Sequence, residues 1–472
     1  VHELKKMVEH LSSGNMLGTV ADHGGRDGLP IPFFGKLAMT PTSSVKMAKK
    51  LNAKIILAFM HRLSELDHEM IFQPVDLVRT GDANEDLYVN LTAMSKVLEG
   101  WVAQYPEEYL WFYRRWKHSP QKNILILSDG KPGHVKQSLA CAEIISGLGF
   151  TVRQEKVEVI FKHKGQEGLL AVVATLFGAQ AVQGFLRFCL DPQTIRKLTA
   201  GGFDLIVSAG SSLASVNLAM TSQNNAQSIV LMRPGILPLS RFDLVVMPAH
   251  DRPPQRKNIC VVPGSLTGIS AASLKKDFEQ LVLARPGLRV LENSRSPKIG
   301  VLVGGASKNY AWTVDLASLL SDQFDQALHD SGGVLFLTTS RRTPQEVTRI
   351  FSSRLVRHPQ CRLLVDAQKD NPAGTVGGMC YVSDVIVVSG ESISMVSEAV
   401  ASGKPVVVFE PVVLRKDNKV RRFLQDLAEK KLIVLASAEK LAASIAEVLS
   451  QAPAHAGFDA AAPLRERLKQ ML

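Results

Sequence analysis

The sequence predicts an α/β protein: two Rossmann-like parallel-sheet domains preceded by an α/β fragment of different character. Three observations predict it. From Lys122 onward, apolar runs ending in glycine-rich turns alternate with amphipathic segments, the pattern of βαβ units. The segment DLIVSAGSSLASVNLA from Asp204 is matched by DVIVVSGESISMVSEA from Asp384. Each reads as a buried strand, a turn holding Gly210 or Gly390, and a helix opened by Ser. A looser pair repeats the arrangement, with Ile124–Leu127 leading into Ser128–Asp129–Gly130 and Ile299–Val303 into Gly304–Gly305.

Residues 1–118 differ in texture. They hold three of the four tryptophans, Trp101, Trp111 and Trp116, with Tyr88, Tyr105, Tyr109 and Tyr113. His118, Ser119 and Pro120 interrupt any regular element, which places a boundary in Lys117–Lys122. The expected domains are residues 1–118, an acceptor-side domain over 122–284 and a nucleotide-side domain over 297–472. Leu283–Lys298, with Pro286, Gly287 and Pro297, is the expected hinge. A length of 472 residues suits two to four such domains.

The net charge of +11 favours acidic partners, phosphorylated small molecules or anionic lipid surfaces. The basic residues are dispersed with no nucleic-acid module, so no nucleic-acid partner is expected. Five scattered cysteines without a C-x-x-C pair exclude a disulfide scaffold or zinc ribbon and suit a reducing compartment. Residue 1 is Val and no basic-then-apolar leader follows, so the reading expects no signal peptide and a longer parent chain.

In open parallel sheets, ligands bind beyond the carboxyl ends of the strands, where glycines admit a phosphate and helix N-termini attract it. Three turns carry that chemistry. In Ser128–Glu143, Gly130 and Gly133 permit tight turns, while Lys131, His134, Gln137 and Ser138 supply polar groups at a helix start. His134, an imidazole at a helix start, is the candidate general base, with Asp129 beside it. In Val303–Trp312, Gly304, Gly305 and Ser307 form a candidate diphosphate cradle, with Lys308 as a point charge. In Val388–Pro411, Gly390, Ser392 and Ser394 sit at a helix start. Glu398, four residues from Ser394, shares its face and has the chemistry to accept ribose hydroxyls. Ser340, Arg341, Arg342 and Thr343 follow the apolar run Val334–Leu337 as a candidate phosphate clamp. No D-x-D segment asks for a metal, and no cofactor is expected.

The motifs SDGKPGH…QS, GGASK, SRRTP and SGESISMVSEA resemble the mitochondrial-fission "elongated mitochondria" family and its bacterial relatives over about Lys122–Leu472. More distantly, their order is similar to the N-acetylglucosamine transferase of peptidoglycan synthesis. The resemblance implies a GT-B fold and a nucleotide-sugar donor site around Gly305, Gly390 and Glu398. It leaves activity open, because the plant member of the family is regarded as an adaptor for a dynamin-like protein.

Residues 1–118 resemble the C-terminal part of the lipid A lauroyl/myristoyl acyltransferase family, through Leu17–Arg62 and the ending YPEEYLWFYRRWK at Tyr105–Lys117. The resemblance implies a remnant of the acyl-chain and phosphate-sugar site at Asp22, Gly24, Gly25 and Arg26, and a Phe-Phe-Gly turn at Pro32–Gly35. Such enzymes use a His with an Asp or Glu five positions on. None of His2, His10, His23, His61 or His68 has one. The chain as it stands is therefore expected to be inert in acyl transfer, and an acyl donor belongs only to a full-length parent.

Two segments carry a possible membrane face. Trp111, Tyr113, Arg114, Arg115 and Trp116 read either as a packed terminal helix or as an interfacial anchor. Gly168–Leu186 has no charge and is flanked by Lys162, Lys164, Arg187, Arg196 and Lys197. It is just long enough to raise a membrane span, but Gln180, Gln183, Gly178 and Gly184 weigh against one; it reads as a helix that is partly core and partly interfacial, or as a core helix, ahead of a true span. Together these readings predict an envelope-glycolipid protein of the lipid A or lipopolysaccharide type, peripheral at the cytoplasmic face of the inner membrane. Its partners would be a nucleotide-sugar, a lipid-linked acceptor and the anionic membrane surface. The alternatives are a non-enzymatic adaptor, or a parent acting chiefly as an acyltransferase.

Overall fold

The computed structural model describes residues 2–20, 22–451 and 459–472; Ala21, inside the Leu17–Arg62 segment, lies outside them. The chain forms two compact units. The first is essentially residues 1–123, joined by Ser146–Arg153 and Gln470–Leu472, and the second holds the rest.

The first unit runs α1 (His2–Ser12), β1 (Leu29–Phe33), β2 (Lys36–Thr40), α2 (Ser43–Leu51), β3 (Ile55–Arg62), β4 (His68–Val75) and α3 (Ala83–Gln104). Strands β1 and β2 pair antiparallel through the two-residue turn Phe34–Gly35. Both turn residues have positive φ, 48° and 72°, as the right-handed strand twist demands of so short a hairpin. Asp82 caps α3 by accepting from the amides of Asn84 (2.7 Å) and Glu85 (2.9 Å). Ile31, Val45, Leu87, Leu91 and Met94 close a small core.

Leu110–His118 forms turns rather than the terminal helix; Trp111, Arg114 and Lys117 are exposed, whereas Arg115 turns inward. Arg115 is only 4% exposed. Its guanidinium donates to the Met39 carbonyl and to Thr40 Oγ1, both at 2.7 Å, and lies 5.7 Å from the centre of the Phe33 ring. Burial pushes its pKa down. One backbone and one side-chain acceptor thus hold this arginine inside the unit, so it is not available as a surface charge.

The second unit contains two six-stranded parallel sheets, the GT-B-like arrangement of paired Rossmann-like halves. The first half comprises β5 (Gln121–Ser128), α4 (Pro132–Ser146), β6 (Thr151–Glu158), α5 (Gln166–Phe177), α6 (Ala179–Cys189) and α7 (Pro192–Thr199). It continues through β7 (Leu205–Ala209), α8 (Ala214–Asn224), β8 (Gln227–Leu231), β9 (Leu244–Pro248) and β10 (Ile259–Val262) to α9 (Ala271–Ala284). Its sheet order is β10-β9-β8-β7-β5-β6. The order reverses between β5 and β7, so the crevice for a ligand opens between their carboxyl ends. Gly168–Leu186 is two helices rather than one. Gly178, at φ 86° and ψ −174°, takes a conformation that only glycine adopts readily and breaks the run between α5 and α6. Among the described residues no helix is long and apolar enough to cross a membrane.

The second half comprises β11 (Lys298–Leu302), β12 (Tyr310–Ala311), α10 (Val314–Ser331), β13 (Val334–Thr338), α11 (Gln345–Leu355), β14 (Cys361–Val365) and α12 (Thr375–Val382). It then runs β15 (Val385–Ser389), α13 (Ile393–Ala401), β16 (Val406–Phe409), β17 (Val412–Val413), α14 (Lys419–Glu429) and β18 (Val434–Ala436). Its order is β14-β13-β11-β15-β16-β18, reversing between β11 and β15. The central strands are buried along their whole length and apolar except at their ends, Lys298 of β11 and Ser389 of β15, as parallel strands sandwiched by helices should be.

Helix α9 precedes the expected hinge, yet its Leu274, Phe278 and Leu281 belong to the core of the second half. Gly374, Gly377 and Gly378 explain the attachment. A Cβ on Gly374 or Gly377 would collide with Asp277 of α9, so these glycines let α12 lie directly against it. The segment Pro286–Leu291 is a 3-10 turn with Leu288 and Leu291 buried in the same core.

Candidate functional site

The first switch point gathers a compact polar cluster. Gly130, at φ 76°, turns the chain from β5 into α4, and the Asp129 carboxylate folds back into the turn. Asp129 Oδ2 accepts from His134 Nδ1 (2.9 Å), Lys131 Nζ (2.9 Å) and Ser212 Oγ (3.2 Å). Burial raises the Asp129 pKa, but the Lys131 hydrogen bonds and the His134 charge outweigh it, and the carboxyl lies below its ordinary range. With the proton on Nδ1 donated to Asp129, His134 Nε2 is left as an acceptor, the form a general base needs. The imidazole rests on Gly210, at φ 80° in the turn after β7, where a Cβ would come within 2.8 Å of His134 Cε1. Lys131 and Gly133 are exposed, Gln137 is half-buried, and Ser138 is buried with its hydroxyl unpartnered.

The second switch point differs from the diphosphate cradle expected of it. Gly304 and Gly305 are buried. A Cβ on Gly304 would collide with Glu391 Oε1, and one on Gly305 with the backbone of Arg342. The paired glycines therefore admit neighbouring protein groups. Glu391 is 6% exposed; its Oε1 accepts from Ser389 Oγ (3.1 Å), and Ser389 Oγ accepts from the Gly304 amide (2.7 Å). Burial drives the Glu391 carboxyl above the usual carboxylate range. Ser307 accepts from the Asn309 amide and Lys308 is exposed, but no helix starts here, because α10 begins only after Thr313.

Ser340 and Thr343 form a closed turn in which the Ser340 amide donates to Thr343 Oγ1 (2.8 Å) and Thr343 Oγ1 donates to the Gly304 carbonyl. Arg341 and Arg342 are exposed on it. Gly390 packs against Leu424 and Val408, where a Cβ would be crowded at 2.8 and 3.1 Å. Ser392 precedes α13 without capping it, and its hydroxyl lies 3.3 Å from that of exposed Ser394. Among the described residues no side chain caps the first amides of α13, and such uncapped amides are the kind that suit an anion.

The halves meet through these elements. Lys136 Nζ on α4 reaches Glu398 Oε1 on α13 at 3.0 Å. Ser397 Oγ, one residue earlier, accepts from the Ser265 amide in the loop after β10 (3.2 Å). Gly264 is needed beside it, since a Cβ there would lie 2.6 Å from Ser397 Oγ. Sequence reasoning missed Lys136, Ser212 and Glu391. Ser212 stands in the quoted repeat one residue past the position aligned with Glu391, and Lys136 lies two residues past His134 on the same helix, so proximity in sequence was the available signal.

In the first unit, Asp22 and Arg115 help line a cavity of about 570 Å³ walled by Met47, Leu57, Leu91 and Met94. Gly24 lies against the Met39 carbonyl and the Arg115 guanidinium, and Tyr113 donates to its carbonyl at 3.0 Å. Gly25 is half-buried with open space at its Cβ position, and Arg26 is exposed.

Residues 132–468 match the family model described as mitochondrial fission ELM1, and residues 1–118 match that of bacterial lipid A biosynthesis acyltransferase. An uncharacterised protein of Rickettsia prowazekii is 25% identical over 338 residues, covering 66% of this chain and 89% of its own. The mitochondrial fission protein ELM1 of Arabidopsis thaliana is 29% identical over 195 residues, covering 36% of this chain and 42% of its own. The lipid A biosynthesis lauroyltransferase of Escherichia coli is 25% identical over 123 residues, covering 25% of this chain and 39% of its own. Among solved structures, UDP-GlcNAc 2-epimerase from Neisseria meningitidis bound to UDP-GlcNAc is similar at a TM-score of 0.41 and 12% identity, covering 74% of this chain and 100% of its own.

Proposed function

The chain belongs to the mitochondrial fission ELM1 family and carries a lipid A acyltransferase-type segment before it, and from that premise we propose that its second unit transfers a sugar from a nucleotide donor to a lipid-linked acceptor. The setting would be envelope glycolipid synthesis of the lipid A or lipopolysaccharide type, at the cytoplasmic face of the inner membrane. One observation carries the reading: the Lys136–Glu398 ion pair joins the helix that bears His134 to the helix whose open N-terminus suits a diphosphate. His134 Nε2 would take the proton of the acceptor hydroxyl, while Asp129 holds the ring and stabilises its positive form. Glu398 would exchange Lys136 for the ribose hydroxyls. The α13 amides, Arg341 and Arg342 would stabilise the departing diphosphate without a metal.

Two observations favour a second reading, an adaptor that keeps the fold and docks a partner. Gly304 and Gly305 are closed beneath Glu391 and Arg342, and Glu398 already has a cation. Calorimetry with uridine and cytidine diphosphate sugars separates the two. Transfer requires saturable binding of one of them, and His134→Ala should keep that binding while abolishing turnover. Binding of none, with His134→Ala leaving function intact, means the adaptor. A parent acting as an acyltransferase requires a His with an acid five positions on, encoded upstream of Val1, and sequencing there decides it.

A further inference from the structure

The helices α5 and α6 present an apolar surface that nothing in the described chain covers. Helix α5 buries Leu170, Val173 and Ala174 against the first sheet, as a core helix should. On its opposite face Leu169, Val172 and Leu176 recur at helical spacing and are 49%, 45% and 66% exposed. Phe177 follows at 72%. Helix α6 repeats the design: Val182, Leu186 and Cys189 face inward, while Phe185 and Phe188 stand outward at 45% and 73%.

The hairpin is held rigidly. Gly178 makes the break, and the Arg241 guanidinium donates to the carbonyls of Ala174 and Thr175 at the end of α5. Gln183 Nε2 donates to the Ala219 carbonyl and fastens α6 to α8 (3.0 Å). A helix apolar on both sides is either core or in contact with lipid or another protein, and here one side is demonstrably open.

Charge decides between occupants. Gly168–Leu186 has no charged residue, and Lys162, His163, Lys164, Arg187, Arg196 and Lys197 around it are all exposed. Apolar side chains rimmed by basic ones match acyl chains beneath anionic headgroups. A second copy of the same face would bring like charges together.

We propose that the α5–α6 hairpin is a one-sided membrane anchor that seats the first half on an anionic bilayer. Its entry lies beside the candidate catalytic turn. The Val159 amide, leaving β6, donates to the Ser128 carbonyl (2.9 Å), one residue before Asp129. A lipid-linked acceptor rising from that bilayer would meet His134 without crossing the molecule. The location of the anchor stands on its own surface, whereas this delivery role rests on the transfer reading above.

The test is co-sedimentation of the full chain with vesicles of phosphatidylcholine and phosphatidylglycerol, mixed about one to one. Wild-type protein should pellet with them, release in high salt, and stay in solution with phosphatidylcholine alone. Phe177→Ser with Phe188→Ser should weaken binding by about tenfold per phenylalanine. Lys162→Gln with Lys164→Gln should weaken it about fivefold per residue. Both sites are exposed, so far-ultraviolet circular dichroism should be unchanged. Donor calorimetry on the same variants separates the ideas: lost sedimentation with retained nucleotide binding leaves the transfer reading intact. The anchor is refuted if wild-type protein does not pellet, if the phenylalanine variant pellets equally, or if those phenylalanines prove instead to hold a dimer in solution.

Discussion

Gly305→Ala discriminates a phosphate cradle from a packing contact. A Cβ at residue 305 would overlap the carbonyl carbon and oxygen of Arg342. Those atoms belong to a backbone turn fixed by Thr343, which bonds both the Ser340 amide and the Gly304 carbonyl. Overpacking of a buried contact costs about 1–3 kcal/mol. Displacing the turn also strains one or two buried hydrogen bonds, each about 1 kcal/mol. The expected loss is therefore about 2–5 kcal/mol. Gly133→Ala is the control: it has no positive φ and no atom within 4 Å of the added methyl, so it should be neutral or stabilising by about 0.5 kcal/mol. Urea denaturation followed by hydrogen exchange at the β11 amides reads both. Should Gly305→Ala match wild-type stability and lose only nucleotide binding, the glycine faces a ligand and the packing argument is wrong.

Asp129→Asn should destabilise the first half near neutral pH. The folded carboxyl lies below its ordinary 3.8, so the stability it contributes is present above that value and is lost as pH falls through the folded one. Urea midpoints of the wild type and the variant should converge in acid; a constant gap would refute this. Glu391→Gln should act in the opposite sense. A carboxyl raised by burial costs stability as pH climbs above the ordinary 4.5 toward its folded value, so the amide should help more at pH 8 than at pH 4 in thermal unfolding. A gain independent of pH would mean that Glu391 titrates normally. Ser212→Ala removes one donor to Asp129 and should lower turnover about threefold to tenfold, leaving nucleotide affinity unchanged; equal turnover would show that His134 and Asp129 hold their geometry without it.

The paired βαβ halves were legible because parallel strands buried on both faces are nearly continuous apolar runs, and β7 and β15 are such runs, broken only by Ser208 and Ser389, with matching turns. The turns at Asp129 and Ser392 could be placed for the same reason: strand ends at a switch point are where ligands go. What stayed hidden depends on distance across the fold. Gly304 and Gly305 read the same in sequence whether a phosphate or protein fills the space, and only the positions of Glu391 and the Arg342 backbone decide it. Lys136 could not be matched with Glu398, 262 residues away, by any local pattern. Helix α9 was assigned by its place in the chain, whereas its partner is chosen by the glycines of α12. Arg115 reads as a surface charge in any periodicity argument because its two acceptors come from a hairpin 75 residues earlier.

Soaking a uridine diphosphate sugar into crystals of the protein tests the shared cleft most directly. Ordered diphosphate density against the first turn of α13, with the ribose at Glu398 and Lys136 displaced, is the predicted result. A cleft that stays empty at saturating ligand, or density only at a distant surface, would contradict it.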